Sequence, residues 1–241
     1  MMKRIGVLGS GGGSNLAALY DHLRELRESG SASGAVPEIV LVASDQKGAG
    51  ALERARKWGV EAAVLPDRGA NARQLENLLR EHRVDLIVLA GYLRMVPRSV
   101  IGAYHGRIIN IHPALLPAFG GAGMYGKRVH SAVIEHGARV SGATVHFVDE
   151  EYDRGPIIAQ WPVPVLRGDT AEALAARVLR VEHLLLPRAA CAVAAGSIRL
   201  DENGRISHPP TVTHSPELAF NLQPESDETI VEGIDRVLTD V

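Results

Sequence analysis

Asn110 and His112 offer chemistry through both their types and their spacing. They lie two apart in Gly106-Arg107-Ile108-Ile109-Asn110-Ile111-His112-Pro113-Ala114-Leu115-Leu116-Pro117. Ile108, Ile109 and Ile111 are β-branched and suit a strand buried on both faces. Residues two apart on a strand leave on the same face, and the prolines at 113 and 117 stop the ladder. An amide and an imidazole would then stand side by side at the carboxyl end of a strand, where open α/β sheets bind ligands. The amide can donate to a developing oxyanion, and the imidazole can move a proton or stabilise charge. A strand-end Asn and His that serve only turn geometry are the alternative.

Two further stretches carry candidate groups. Gly9-Ser10-Gly11-Gly12-Gly13-Ser14-Asn15 follows the short apolar run Ile5 to Leu8 and precedes leucines at helical spacing. Strand, glycine loop and helix N-terminus together make an anion site. The third position of a dinucleotide fingerprint is Ser14, and no Gly-Lys-Ser/Thr occurs, so one phosphate group fits better than a dinucleotide. A loop used only for tight packing is the competing reading. Asp149-Glu150-Glu151-Tyr152-Asp153-Arg154-Gly155-Pro156 is an acidic loop whose last turn could fix Asp153 within reach of His112. A carboxylate there would raise the imidazole pKa and orient the ring. His146, in an alternating apolar run, reads as a packed strand residue before a fourth catalytic group. The ten histidines show no metal-ligand spacing, so no metal is expected.

The elements that must position these groups alternate. Short apolar strands are expected at 5–8, 38–43, 62–65, 86–90 and 106–112, separated by helices at about 16–26, 51–58, 74–82 and 97–104. This pattern predicts an α/β fold: an open, mostly parallel Rossmann-like sheet with helices on both faces. Beyond it follow a helix over 127–135, strands at 144–148 and 157–161, and a long helix started by Asp169 with Glu172, kinked at Pro187 and ended by Gly196. These give an antiparallel C-terminal strand region. Asn203-Gly204 marks a hairpin. After His208 the chain turns polar, and only 230–238 suggests another helix.

Composition bounds the function. The 241 residues are 46% hydrophobic and 22% charged, with a formal net charge of −2, which is ordinary globular usage without the basic excess of a nucleic-acid surface. The single cysteine, Cys191, implies no disulfide framework and a reducing compartment. Neither a signal-peptide core nor a membrane span is expected, so a soluble cytoplasmic protein is.

The glycine loop Ser10-Gly11-x-Gly13-Ser14-Asn15-Leu16, Asn110-x-His112-Pro113-x-Leu115-Leu116-Pro117 and Asp153-x-Gly155-Pro156 stand together. As a set they resemble the formyltransferases that use 10-formyltetrahydrofolate, and within them the branch acting on glycinamide ribonucleotide (GAR). The resemblance covers roughly residues 3–206. Methionyl-tRNA formyltransferases lack this glycine loop and carry an RNA-binding domain; deformylases share more but usually begin with a regulatory domain. The resemblance implies that Asn110, His112 and Asp153 are catalytic, that Gly13, Ser14 and Asn15 hold the GAR phosphate, and that Glu182 contacts its ribose. It implies a folate pocket at Leu93, Arg94, Met95, Val96, Asn110, Asp149, Glu150 and Asp153, with Arg68 (or its competitor Arg73) toward the glutamate tail. The implied reaction moves formyl to the GAR amine in purine synthesis, with 10-formyltetrahydrofolate as co-substrate and neither metal nor covalent nucleophile. Partners would be these small molecules, not nucleic acid or membrane, and the protein a monomer or homodimer. Residues 1–208 would form the formyltransferase domain, with a phosphate-binding half at 1–105, a catalytic and folate half at 106–208, and a tail at 209–241. Most members have Phe-Pro-Gly where this chain has Phe119-Gly120-Gly121 and a longer loop, which touches the substrate contacts and not the chemistry. Three rival readings are a deformylase, in which water replaces the amine, a non-catalytic nucleotide-binding module, and, more distantly, a nicotinamide dehydrogenase.

Overall fold

The computed structural model describes residues 2–30, 35–65, 71–201, 203–207 and 227–239. Five parallel strands form its centre: β1 (Arg4–Leu8), β2 (Glu38–Ser44), β3 (Glu61–Val64), β4 (Leu86–Leu89) and β5 (Ile108–His112). Two antiparallel strands, β6 (Val140–Phe147) and β7 (Ile157–Pro164), complete a seven-stranded sheet in the order β3-β2-β1-β4-β5-β6-β7. The expected mixed α/β sheet is therefore the one observed. Strand order reverses direction beside β1, between β2 and β4. The carboxyl ends of β1, β4 and β5 flank that switch point, where an open sheet offers a crevice.

Helices cover both faces: α1 (Ser14–Ser29), α2 (Gly50–Lys57), α3 (Asn71–Glu81), α4 (Arg98–Ala103), α5 (Lys127–Glu135), α6 (Ala171–Ala195) and α7 (Asp227–Thr239). Alternation along the strands sorts the core into two layers. Ile109 and Ile111 of β5 join Val88 of β4 and the buried faces of α1 and α6. Ile108 joins Leu89 of β4, Leu75 of α3 and Val100 of α4 on the other side. Asn110 and His112 share the face of Ile108, as period two requires.

Several local expectations shift. Helix α6 is capped by Thr170, whose hydroxyl accepts from the Ala173 N–H at 3.2 Å. Asp169 is not the cap: it accepts from Leu166 N–H and clasps Arg177 with both oxygens. The helix is continuous through Pro187, because Leu185, Leu186, Ala189 and Ala190 are buried around it. Strand β7 runs past Trp161 through two prolines, which is tolerated because β7 is an edge strand. Strand β6 begins earlier than its alternation suggests, since Gly142 lets the Trp161 carbonyl and Leu115 approach where a Cβ would collide. The Asn203-Gly204 hairpin joins β8 (Arg199–Leu200) to β9 (Ile206–Ser207), with Asp201 Oδ1 accepting from the Asn203 and Arg205 N–H groups. Helix α7 buries Ile230 and Ile234 and is tied to α6 by Arg180–Asp227 and Arg188–Asp235 pairs.

Candidate active site

A cavity of about 600 Å³ opens at the switch point, a size suited to a small molecule. Asn110, His112 and Asp153 line it, as do Asn15 and Glu182. A smaller hollow of about 60 Å³ adjoins it, walled by Leu89, Arg94, Met95, Val96, His146 and Asp149. Asn110, Tyr152 and Asp153 line both spaces.

The chain after β5 is held by buried hydrogen bonds. Thr144 Oγ1 of β6 donates to the Ala114 carbonyl (2.6 Å) and accepts from Leu116 N–H (3.1 Å). Gln160 Nε2 of β7 donates to the Leu116 carbonyl at 2.8 Å. These bonds lay the Pro113–Pro117 segment over the edge of the sheet and fix the mouth of the site.

His112 is buried, with Nε2 donating to the Phe119 carbonyl at 2.9 Å and Nδ1 3.5 Å from Asp153 Oδ2. A carbonyl only accepts, so Nε2 carries a hydrogen and Nδ1 is the position left to titrate. Burial lowers the His112 pKa, and this outweighs the raising effects of Asp153 and the Phe119 bond, with His146 adding to the lowering. The expectation that Asp153 holds the ring above the ordinary histidine value is therefore corrected: the resting ring is neutral, because desolvation exceeds one ion pair.

Asp153 sits at φ 55, a left-handed conformation that aspartate tolerates better than most residues. Its Oδ2 accepts from Gly121 N–H at 2.9 Å, and its Oδ1 is 3.7 Å from His146 Nε2. Burial pushes its carboxyl up, but the His146 and His112 interactions and the Gly121 bond bring it below the usual carboxylate range. The Gly120-Gly121 departure from the common pattern is thus the segment that grips Asp153. Gly155, two residues on, sits where a Cβ would run into the Phe147 carbonyl.

Asn110 Nδ2 is 3.1 Å from His146 Nε2, while His146 Nδ1 donates to the Phe147 carbonyl at 2.7 Å. With its hydrogen on Nδ1, His146 presents the Nε2 lone pair to the Asn110 amide, which then donates with one of its two hydrogens. His146 is thus both a packed strand residue and a member of the constellation. In the same wall, Asn15 Nδ2 donates to Glu182 Oε2 at 2.6 Å. Burial raises the Glu182 pKa against the lowering effect of that bond.

The remaining candidates are placed as follows. Gly13 caps α1 at φ 73, and a Cβ there would meet the Ala51 backbone at 2.8 Å. It therefore serves packing, whatever the loop binds, and neither Gly13 nor Ser14 is in the cavity wall. Ser10 ties the loop to the 91–96 segment: its Oγ accepts from Leu93 N–H (3.0 Å) and donates to Asp45. Asp45 also accepts from Arg94 Nε at 2.9 Å. Leu93 and Met95 are exposed, and Val96 is buried. Glu150 lies outside both walls and pairs with Arg98 at 3.2 Å. Arg68 lies outside the described residues. Sequence reasoning did not single out His130, Tyr125 or Lys127, which also line the large cavity. For His130 the available signal was a histidine beside the apolar stripe Val129–Val133. Among the described residues no cluster of His, Cys, Asp or Glu could hold a metal ion, and no helix is long and apolar enough to cross a membrane.

Comparison with known proteins adds four findings. Residues 3–190 match the family model described as formyl transferase. The chain is 43% identical over 208 residues to a chloroplastic phosphoribosylglycinamide formyltransferase of Arabidopsis thaliana, a match covering 84% of this chain and 69% of the relative. It is similar to the crystal structure of glycinamide ribonucleotide transformylase 1 from Symbiobacterium toebii, with TM-score 0.76, 42% identity and coverage of 86% and 94%. A formyltetrahydrofolate deformylase from Pseudomonas syringae is also similar, with TM-score 0.72, 26% identity and coverage of 86% and 66%.

Proposed function

The chain belongs to the formyl transferase family, and we propose that it moves the formyl group of 10-formyltetrahydrofolate onto the amine of GAR in purine synthesis. The observation that carries this reading is the single cavity that joins the Asn110, His112 and Asp153 cluster to the Asn15–Glu182 pair. The cluster offers a donor and a carboxylate-backed imidazole; the pair offers polar groups for a ribonucleotide.

Attack of the amine on the formyl carbon puts negative charge on the formyl oxygen. Asn110, held by His146, turns its free amide hydrogen toward that charge, a contribution of roughly 3–4 kcal/mol for a comparable donor. Nδ1 of His112 takes a proton from water as the oxyanion forms, is met by the Asp153 carboxylate, and returns the proton to water when the carbonyl re-forms, so the cluster stabilises the anionic intermediate. Glu182 is the ribose-side contact, and Asn15 with the α1 N-terminus and its glycine loop is the phosphate side. The hollow beside Arg94, Met95, Val96 and Asp149 is the folate side, and Asp153 belongs to both. In this reading residues 1–105 supply the phosphate loop and the Arg94–Val96 wall of the folate side, 106–208 the catalytic cluster and the rest of that wall, and the reducing cytoplasm is the compartment.

Tetrahydrofolate formation followed spectroscopically with and without GAR tests the reading. Product forming only when GAR is present is the expected result. Release of formate at the same rate without GAR would instead assign hydrolysis, the activity named for the Pseudomonas syringae neighbour.

A further inference from the structure

His130 lines the large cavity, is only 4% exposed, and leaves its Nδ1 without a hydrogen-bond partner. Helix α5 holds it there, with Val129 and Val133 fully buried on either side. A buried polar atom left unpaired is costly and calls for a reason. Asn15 Oδ1 in the same wall is also unpartnered, but an amide oxygen is far too weak a base to take a proton, and the charged and imidazole groups beside it are committed. Both nitrogens of His112 face partners, Asp153 is held by Gly121, Glu182 by Asn15, and Lys127 by Glu172. His183 also has an unpartnered ring nitrogen, but it does not line the cavity.

We propose that His130 is a further catalytic residue, the base that takes the proton from the attacking amine. The proposal rests on the formyl-transfer reading above. Burial, with a smaller effect from His112, holds the His130 pKa below its ordinary value, so the ring is neutral and able to accept at neutral pH. The nitrogen lone pair of the amine forms the new bond to the formyl carbon, and the carbonyl electron pair moves to oxygen beside Asn110 and His112. One proton passes from the attacking nitrogen to His130. The oxygen pair then re-forms the carbonyl and breaks the bond to N10 of the folate, whose departing pair takes a proton from water. His130 returns its proton to water, and the enzyme ends unchanged. The cavity's other titratable groups are His112, Asp153, Tyr92, Tyr125 and Tyr152 in its loops and strand ends, Glu172 and Glu182 on α6, and Lys127 on α5. None of these is an unpartnered imidazole: His112 has a partner at each nitrogen, the carboxylates and Lys127 are paired, and a phenol's oxygen is a poor proton acceptor.

The test compares wild type with His130→Ala and His130→Gln, measuring kcat against pH, GAR binding by calorimetry, and rescue by added imidazole. A general base is worth on the order of 10²-fold or more. We expect kcat to fall by at least that factor in both variants, with GAR affinity within about threefold of wild type and the acid limb of the profile abolished. Imidazole should restore His130→Ala in part and leave His130→Gln unchanged, because only the alanine leaves room for it. Wild-type kcat in His130→Gln, an unmoved acid limb, absent imidazole rescue, or a loss explained by GAR affinity would each overturn the base role. If wild type itself forms no tetrahydrofolate with GAR, the formyl-transfer reading falls and this proposal falls with it.

Discussion

At the residue scale the site is a balance between burial and charge, and His112 shows which prevails. Asn110→Ala and His112→Ala should each lower kcat by on the order of 10²-fold while KM changes little, because both groups act on charge that exists only during the reaction. Steady-state kinetics with both substrates varied would check this, and near-normal kcat in both variants would remove them from the chemistry. Asp153 raises the His112 pKa against the stronger effect of burial. Asp153→Asn should therefore push that pKa lower still, so that the imidazolium is lost on the acid side of its present range. Asp149→Asn should leave it nearly unchanged, and NMR titration of the ring would separate the two. The Asn110/His112 pair was legible in the sequence, because period-two geometry and flanking prolines leave one way to present it. The direction of the imidazole shift was not, because it depends on how fully the Phe119–Gly121 loop covers the ring.

At the scale of elements, glycines decide which variants test the site and which test the fold. Gly13→Val would drive a branched side chain into Ala51 at a positive φ, so it should destabilise the whole domain and weaken both ligands together. A Cβ at Gly11 meets nothing within 4 Å. Gly11→Ala should therefore weaken GAR binding with little change in folate binding or thermal midpoint, measured by calorimetry and thermal unfolding. For the long helix, Thr170→Ala should cost about 1 kcal/mol through loss of its cap, read from urea unfolding. The helix itself was evident from its leucine and valine spacing. Its cap was not, since Asp169 and Thr170 are adjacent residues of equal capping aptitude and only the Arg177 clasp distinguishes them. The length of β7 was hidden for a similar reason: prolines read as terminators unless the strand is known to lie at an edge.

At the scale of the whole molecule, acid should be the main enemy. Burial leads the lowering of the His22, His112, His130 and His183 pKa values in the fold. The unfolded chain therefore takes up these protons at higher pH than the folded one does, so stability falls as pH drops through the ordinary histidine value of 6.5. Asp45, Asp153 and Asp169 have lowered values and add a second loss further into acid. The urea midpoint should accordingly be lower at pH 5.5 than at pH 7.5, and an equal midpoint would show that the buried rings relax to solvent without unfolding. The parallel order of strands could be anticipated from strand–helix alternation. The packing of α7 on α6 and β7 could not, since Ile230 and Ile234 are too few to announce a core face.

Helix α7 also gives the molecule an optical handle. The chain has two tryptophans. Trp58 stacks on Tyr20 with ring centroids 3.9 Å apart, between α1 and the end of α2. Trp161 lies under α7 at Gly233, where a Cβ would overlap the indole ring. With Trp58 replaced by phenylalanine, the remaining indole emission would report on the seam between α7 and β7. A red shift at low denaturant, before the far-ultraviolet dichroism of the sheet and other helices changes, would mark the undocking of α7. Coincident curves would instead show that the last helix and the central sheet melt as one cooperative unit.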